Sequence, residues 1–108
     1  MKVSVLICSW NRGSLINNTL HSLIVDSSKK ADEIIVVNGG GKNDCSETLN
    51  YWKNKCTYLH EVKVKNINLA NSRNIGFDHV SGDLILLTDD DARVFPDWIS
   101  EMLRMHLK

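Results

Sequence analysis

Three consecutive carboxylates, Asp89, Asp90 and Asp91, follow a short apolar run from Leu84 to Leu87. Such a run predicts a strand that is buried on both faces, as in a parallel sheet covered by helices. Ligands of open α/β sheets bind just beyond the carboxyl ends of the strands, so the carboxylates are expected at the ligand-binding edge. Adjacent carboxylates repel one another, and Mg²⁺ or Mn²⁺, which favour oxygen ligands, would offset that repulsion. The alternative is a solvated turn whose aspartates cap the next element.

A glycine-rich stretch, residues 38–41, follows a second apolar run and precedes a predicted helix. Its glycines allow the backbone to turn tightly or to approach a ligand closely, and the helix N-terminus beyond it could hold phosphate. A simple tight turn is the alternative, and the spacing matches neither a P-loop nor the G-x-G-x-x-G fingerprint. The planar guanidinium group of Arg73 could form two parallel hydrogen bonds with a phosphate, although an arginine on a helix is more often a solvated surface residue.

Bulk composition is that of one ordinary soluble domain. The 108 residues are 43% hydrophobic and 24% charged, and the formal net charge is zero. A neutral chain without a basic run offers no electrostatic footprint for nucleic acid. Its three cysteines lack the C-x-x-C spacing, which predicts free thiols and a cytoplasmic location. The four histidines have no ligand spacing.

Strands and helices alternate along the chain, which predicts a parallel sheet with right-handed crossovers. Strands are predicted at residues 3–8, 33–37, 57–65 and 84–87. Helices are predicted at residues 14–25, 46–55, 69–79 and 97–108. The third strand alternates with charged residues and is therefore expected near an edge of the sheet. Residues 66–68 are predicted to form a loop.

The helix patterns also predict caps and buried faces. Ser14 is expected to cap the first helix, and Asp44 and Glu47 have the spacing of a capping box before the second. The third helix is expected to turn four apolar side chains inward, namely Leu69, Ala70, Ile75 and Phe77. The apolar stripe of the last helix is predicted to be Trp98, Ile99, Met102 and Leu103.

Taken together, these patterns resemble the family 2 glycosyltransferases, which have the GT-A fold. The resemblance covers nearly the whole chain, and five segments carry it. They are residues 3–12 with Trp10 in the aromatic place, 32–37, 68–76 with an Asn-Ser-Arg-Asn-Ile-Gly sequence, 82–91 with the acid cluster, and 95–99.

The resemblance implies a Rossmann-like GT-A three-layer αβα sandwich with a mainly parallel, incomplete sheet. Residues 1–108 would form a single nucleotide-diphospho-sugar-binding domain, the amino-terminal half of a longer enzyme whose acceptor half is absent. The implied activity is hexosyltransferase-like: an inverting, Mn²⁺- or Mg²⁺-dependent transfer from a UDP- or GDP-type donor. The acceptor would be a carbohydrate or lipid-linked hydroxyl, and the enzyme would be cytoplasmic or peripheral to the inner face of the membrane.

The same resemblance assigns site residues. Those implied to border the nucleotide sugar are Ser9, Asn11, Arg12, Asn38, Arg73, Asp89 and Asp90. Asp91 is expected to contact the metal directly, with Asp89 as a second ligand, while Asp89 or Asp90 faces the ribose.

Two departures from the family pattern leave alternatives open. The family has two aspartates after the second strand, whereas Asn38 and Gly39 stand here. Its general base comes from the carboxyl-terminal half, and no stretch of this chain matches it. A non-catalytic nucleotide-sugar-binding module of the same fold is therefore the alternative. A metal-dependent phosphotransferase is disfavoured, because the acids follow the fourth strand and Arg93 stands where such phosphatases have Thr or Val. The unfinished pattern also predicts exposed apolar surface and self-association.

Overall fold

The computed structural model describes residues 1–65 and 68–107. The predicted loop positions Asn66 and Ile67, and the predicted helix end at Lys108, lie outside the described residues. The strands are β1 Val3–Ser9, β2 Glu33–Asn38, β3 Leu59–Lys63 and β4 Leu84–Asp89. The helical segments are a 3-10 turn Gly13–Leu15, α1 Ile16–His21, a π-helical turn Ser22–Asp26, α2 Ser46–Lys53, α3 Leu69–Phe77 and α4 Trp98–His106.

The four strands form one parallel sheet in the order β3-β2-β1-β4. This confirms the parallel sheet and the edge position of the third strand. β1 and β2 are central, and nearly every residue in them is buried. Their β-branched and aliphatic side chains suit strands that are covered on both faces. None of the described helices combines the length and the apolar character needed to span a bilayer.

Alternate residues of β1 face two different layers. Val3, Val5 and Ile7 pack into the larger core cluster together with residues of α1, α2 and α4. Leu6 packs on the opposite face with Ile35 and Val37 of β2. The helices therefore lie in two layers with the sheet between them, which is the predicted three-layer αβα arrangement.

The prediction that the fourth strand is buried on both faces is wrong. Leu86 is buried, but Ile85 is 36% exposed and Leu87 is 45% exposed. β4 forms an edge of the sheet within the described residues, and α3 contacts β1 and β2 instead of covering it. One face of β4 thus joins the core, while the other remains accessible beside α3.

The predicted inward face of the third helix is wrong for three of its four residues, and only Ile75 is half-buried. Leu69 is 53% exposed and Phe77 is 42% exposed, and Ala70 is exposed as well. The buried positions of α3 are Ser72 and Gly76. The side chains at these two positions are small, so they allow α3 to approach the sheet closely.

Several predicted helix details differ from the structure. Ser14 lies inside a 3-10 turn that begins at Gly13, and no side chain caps that turn. The Asp44 carboxylate accepts a hydrogen bond from the Ser46 amide (3.0 Å), whereas a capping box would have it accept from the Glu47 amide. In α4, Met102 is 37% exposed, whereas Ile99 is fully buried as predicted.

Glu33 joins β2 to the chain segment that precedes β4. Its carboxylate accepts hydrogen bonds from the Ser4 hydroxyl (2.6 Å) and from both the amide and the hydroxyl of Ser81. Burial raises the pKa of Glu33, but these hydrogen bonds and the positive charge of Lys2 outweigh it, so the pKa lies below its ordinary value. The ionised form is therefore the one that the fold stabilises.

Glu33→Gln should reduce the dependence of stability on pH. Because the folded-state pKa of Glu33 is depressed, its contribution is present above the unfolded-state value and is lost as the pH falls through the folded-state value. At pH 7 we expect a loss of about 1 kcal/mol, since a charge-assisted hydrogen bond is replaced by a neutral one. Urea unfolding at pH 7 and at pH 3 measures both effects. Glu47→Gln, at an exposed position, is the control, and an unchanged pH dependence in Glu33→Gln would contradict the assignment.

Candidate functional site

The acid turn, residues 89–92, lies at the carboxyl end of β4, as the sequence predicted. Asp90 is only 6% exposed, whereas the side chain of Asp91 is 57% exposed. The Arg12 guanidinium approaches both carboxylates, with Nε 3.8 Å from Asp90 Oδ2 and Nη1 3.7 Å from Asp91 Oδ2. These distances are too long for hydrogen bonds, so the attraction is one between charges.

Arg12 and the acid turn line a cavity of about 350 Å³. The remaining lining residues are Cys8, Trp10 and Leu69. Trp10 is 52% exposed and presents an aromatic surface beside the carboxylates. The cavity therefore offers a cation, carboxylates and an apolar aromatic wall within one small volume.

Arg73 lies in an adjoining groove of about 420 Å³ on the α3 side of β4. Asp89 lines both this groove and the smaller cavity, as do Cys8 and Leu69. Arg12 therefore lines the cavity, Arg73 and Arg93 line the groove, and Asp89 lines both. Arg73 was singled out from the sequence, whereas Cys8 and Leu69 were not, because the cysteines lack the C-x-x-C spacing of a metal site and Leu69 is apolar.

Cys8 is a thiol rather than a thiolate in this environment. Burial raises its pKa, and this outweighs the positive charge of Arg73, while the negative charge of Asp90 raises the pKa further. A protonated thiol is a poor nucleophile and a poor metal ligand. All three cysteines of the chain are free, as predicted.

Asn38, a predicted nucleotide-binding residue, is 3% exposed and engaged by the protein itself. Its amide nitrogen donates to the Glu61 carboxylate (2.9 Å) and to the Ser46 hydroxyl (3.1 Å). Its oxygen accepts from the Gly40 amide (3.0 Å). In this arrangement the side chain anchors the glycine-rich stretch between β2 and α2.

Ser9, the last residue of β1, and Asn11, in the loop after it, support the same stretch, and the Ser9 carbonyl accepts a hydrogen bond from the Gly39 amide (2.7 Å). The Asn11 amide donates to the Gly40 carbonyl (2.8 Å), and its side-chain oxygen accepts from the Asn43 amide (2.9 Å). Asn11 has a φ of +53°, a left-handed conformation that asparagine adopts more readily than most residues. The Ser9 hydroxyl is buried and finds no hydrogen-bond partner among the described residues. Neither Ser9 nor Asn11 lines the cavity that holds the three aspartates, so the structure does not bring these two predicted residues into contact with it.

The described residues contain no preformed cluster of three or more histidine, cysteine or acidic side chains able to hold a metal ion. Mg²⁺ in phosphate-binding enzymes is usually held by one or two carboxylates together with substrate oxygens and water. Asp89 and Asp91 are exposed beside the cavity and supply oxygen donors of that kind. The chemistry of the residues present therefore fits a metal that is shared with a substrate.

Known proteins match both the sequence and the fold. The Glycosyl transferase family 2 profile matches residues 4–108. An uncharacterized glycosyltransferase of Rickettsia bellii is 33% identical over 107 residues, which cover 95% of this chain and 15% of that protein. The glucosyl-dolichyl phosphate glucuronosyltransferase of Haloferax volcanii is 28% identical over 105 residues, covering 95% of this chain and 33% of that protein.

The fold is similar to that of S. aureus TarS 1-349, with a TM-score of 0.84 and 18% identity across 96% of this chain and 32% of that one. This similarity confirms the Rossmann-like GT-A fold. The chain spans one third or less of the length of each of these proteins. Because the family profile covers nearly the whole sequence, the chain belongs to glycosyl transferase family 2.

Proposed function

We propose that this chain supplies the donor- and metal-binding half of an inverting glycosyltransferase. The donor is a UDP- or GDP-type sugar, a hexose by analogy with the family, and the acceptor is a carbohydrate or lipid-linked hydroxyl. The observation that carries the proposal is the meeting of Arg12, Trp10 and the acid turn in one cavity at the carboxyl edge of a family 2 sheet.

Each of these groups has a role that its chemistry suggests. Arg12 and Arg73 offer guanidinium groups to a diphosphate, which they can contact through two parallel hydrogen bonds. Asp91 and Asp89 would hold Mn²⁺ or Mg²⁺, which when bound would neutralise charge on the departing diphosphate. Asp90, buried against Arg12, orients that arginine. Trp10 lines the cavity with an apolar wall, which would limit access of water.

The type of acceptor and the compartment are further parts of the proposal. The name of the Haloferax volcanii relative includes a dolichyl phosphate, which favours a lipid-linked acceptor here. Three free cysteines favour a reducing compartment such as the cytoplasm. No stretch of the sequence matches the family's general base, so the chain by itself is tested through binding, not transfer.

Calorimetric titration tests the proposal directly. UDP or GDP should bind in the presence of Mn²⁺, and binding should weaken at least tenfold when EDTA removes the metal, because the metal offsets repulsion between carboxylates and phosphates. UMP and GMP, which lack the second phosphate, serve as matched controls and should bind more weakly. Equal heats with and without EDTA would contradict metal dependence, and no binding of either diphosphate would contradict the donor site.

A further inference from the structure

Buried hydroxyl groups of α1 and of the π-helical turn form hydrogen bonds with the acid turn and with the residues that follow it. None of the sequence motifs indicated these hydrogen bonds. We infer that Thr19 is a positioning residue for the acid turn, with Ser22 as a second anchor. This inference rests on the proposed function for its consequence, because it is the placement of Asp90 and Asp91 that Thr19 would control.

Thr19 lies at the centre of the contact. Its side chain is fully buried, and its hydroxyl is 3.0 Å from the Asp90 carbonyl and 2.5 Å from the Ala92 carbonyl. A hydroxyl has one proton, so it donates to one of these carbonyls at a time. Both carbonyls nevertheless converge on the same oxygen, and the backbone on either side of Asp91 is held around that point.

Ser22 holds the following residues from the π-helical turn. Its hydroxyl donates to the Thr19 carbonyl (2.7 Å) and accepts from the Val94 amide (3.1 Å). Ser22 is also fully buried. The π-helical turn begins at Ser22, and such turns are frequent at functional sites. The anchor therefore links α1 and the residues after the acid turn through groups that water does not reach.

A third contact lies at the surface. Asp26, at the end of the π-helical turn, has Oδ2 3.6 Å from Arg93 Nη2 and 3.1 Å from His21 Nδ1. Arg93 is 72% exposed, so this pair contributes little by itself. The two buried hydroxyls are therefore the groups expected to fix the turn.

The consequence concerns the carboxylates. Asp90 and Asp91 lie close to the same guanidinium of Arg12, although their side chains differ widely in exposure. That arrangement depends on the backbone conformation between residues 90 and 92. Without the Thr19 hydroxyl, the carbonyls of Asp90 and Ala92 lose a buried donor, and the turn is free to adopt conformations that separate the two carboxylates.

Thr19→Val removes the hydroxyl at nearly constant volume, whereas Thr19→Ser retains the hydroxyl and removes the methyl group. We expect the affinity for Mn²⁺-bound UDP to fall about tenfold in Thr19→Val and to return to within about twofold in Thr19→Ser. Amide hydrogen exchange at residues 90–94 should become about tenfold faster in Thr19→Val only. Ser4→Ala is the matched control, because the Ser4 hydroxyl is also fully buried and donates to the Glu33 carboxylate (2.6 Å), without contacting the turn or its anchors.

The outcomes separate positioning from general stability. Loss of affinity in Thr19→Val, with the affinity kept in Thr19→Ser and in Ser4→Ala, supports the inference. Unchanged affinity in Thr19→Val, or failure of serine to restore it, overturns it. If the unaltered protein binds neither UDP nor GDP, the proposed function fails. Amide exchange then tests the role of Thr19 by itself, and an unchanged exchange rate at residues 90–94 in Thr19→Val overturns the inference. If Thr19→Val does not fold, Ser22→Ala provides the same comparison at the second anchor.

Discussion

Asp91→Ala is expected to weaken binding of Mn²⁺-bound UDP by roughly 10- to 100-fold while leaving the fold intact. A contact between charged groups contributes about 1.5–3 kcal/mol, which corresponds to that range of affinity. The side chain of Asp91 is 57% exposed, and its ion pair with Arg12 is 3.7 Å long. Such exposed pairs add at most about 1 kcal/mol to stability, so the melting temperature should change by only a few degrees.

Calorimetric titration with Mn²⁺ and with EDTA measures the first effect, and circular dichroism melting measures the second. Asp78→Ala is a suitable control, because Asp78 is an exposed carboxylate at the carboxyl end of α3, away from the acid turn. An Asp91→Ala protein that binds like the unaltered chain would show that Asp91 is not a ligand. An unfolded variant would show instead that the carboxylate is structural.

Asp91 is a sharper test than its neighbour because the two carboxylates differ in burial. Asp90 is 6% exposed, so its replacement would leave Arg12 without a buried partner and would alter packing as well as charge. A loss of binding in an Asp90 variant would therefore have two explanations. The sequence does not indicate which of the three aspartates is buried, and the structure shows that it is Asp90.

The sequence predicted the central strands well for a physical reason. β1 and β2 are runs of β-branched and aliphatic residues, and the structure covers both of their faces, as such runs predict. β4 has a similar run, yet Ile85 and Leu87 are exposed. An apolar run indicates only that neighbours could cover both faces. Whether α3 lies over β1 and β2 or over β4 depends on packing between distant segments.

In the site too, features set by neighbouring residues could be predicted from the sequence, whereas contacts between distant segments could not. The end of a strand in a parallel sheet fixes where Asp89 must lie, so the position of the acid turn could be predicted from the sequence. The hydrogen bonding of the Asn38 side chain could not be predicted, because its partner Glu61 is brought beside it by the pairing of β2 with β3. The anchoring of the turn by Thr19 likewise joins residues more than 70 positions apart.

Gly76→Val is expected to lower the free energy of unfolding by about 2–3 kcal/mol and the melting temperature by roughly 10 °C or more. A Cβ atom on Gly76 would lie 2.5 and 2.9 Å from the two methyl groups of Leu6 and 3.1 Å from a methyl of Val37. Leu6 is 1% exposed and Val37 is fully buried, so neither side chain has free space to move into. The alternative is for α3 to shift away from the sheet.

That shift should also reach the site, because Arg73 precedes Gly76 by about one helical turn and lines the groove beside Asp89. We therefore expect Gly76→Val, measured at a temperature where it remains folded, to bind Mn²⁺-bound UDP more weakly than the unaltered chain. Asn74→Val places the same branched side chain at an exposed position of α3, and it should change stability by no more than about 0.5 kcal/mol. Equal losses in the two variants would mean that the branched side chain disfavours the helix itself. A loss confined to Gly76→Val would mean that close approach of α3 to β1 and β2 holds both the fold and Arg73 in place.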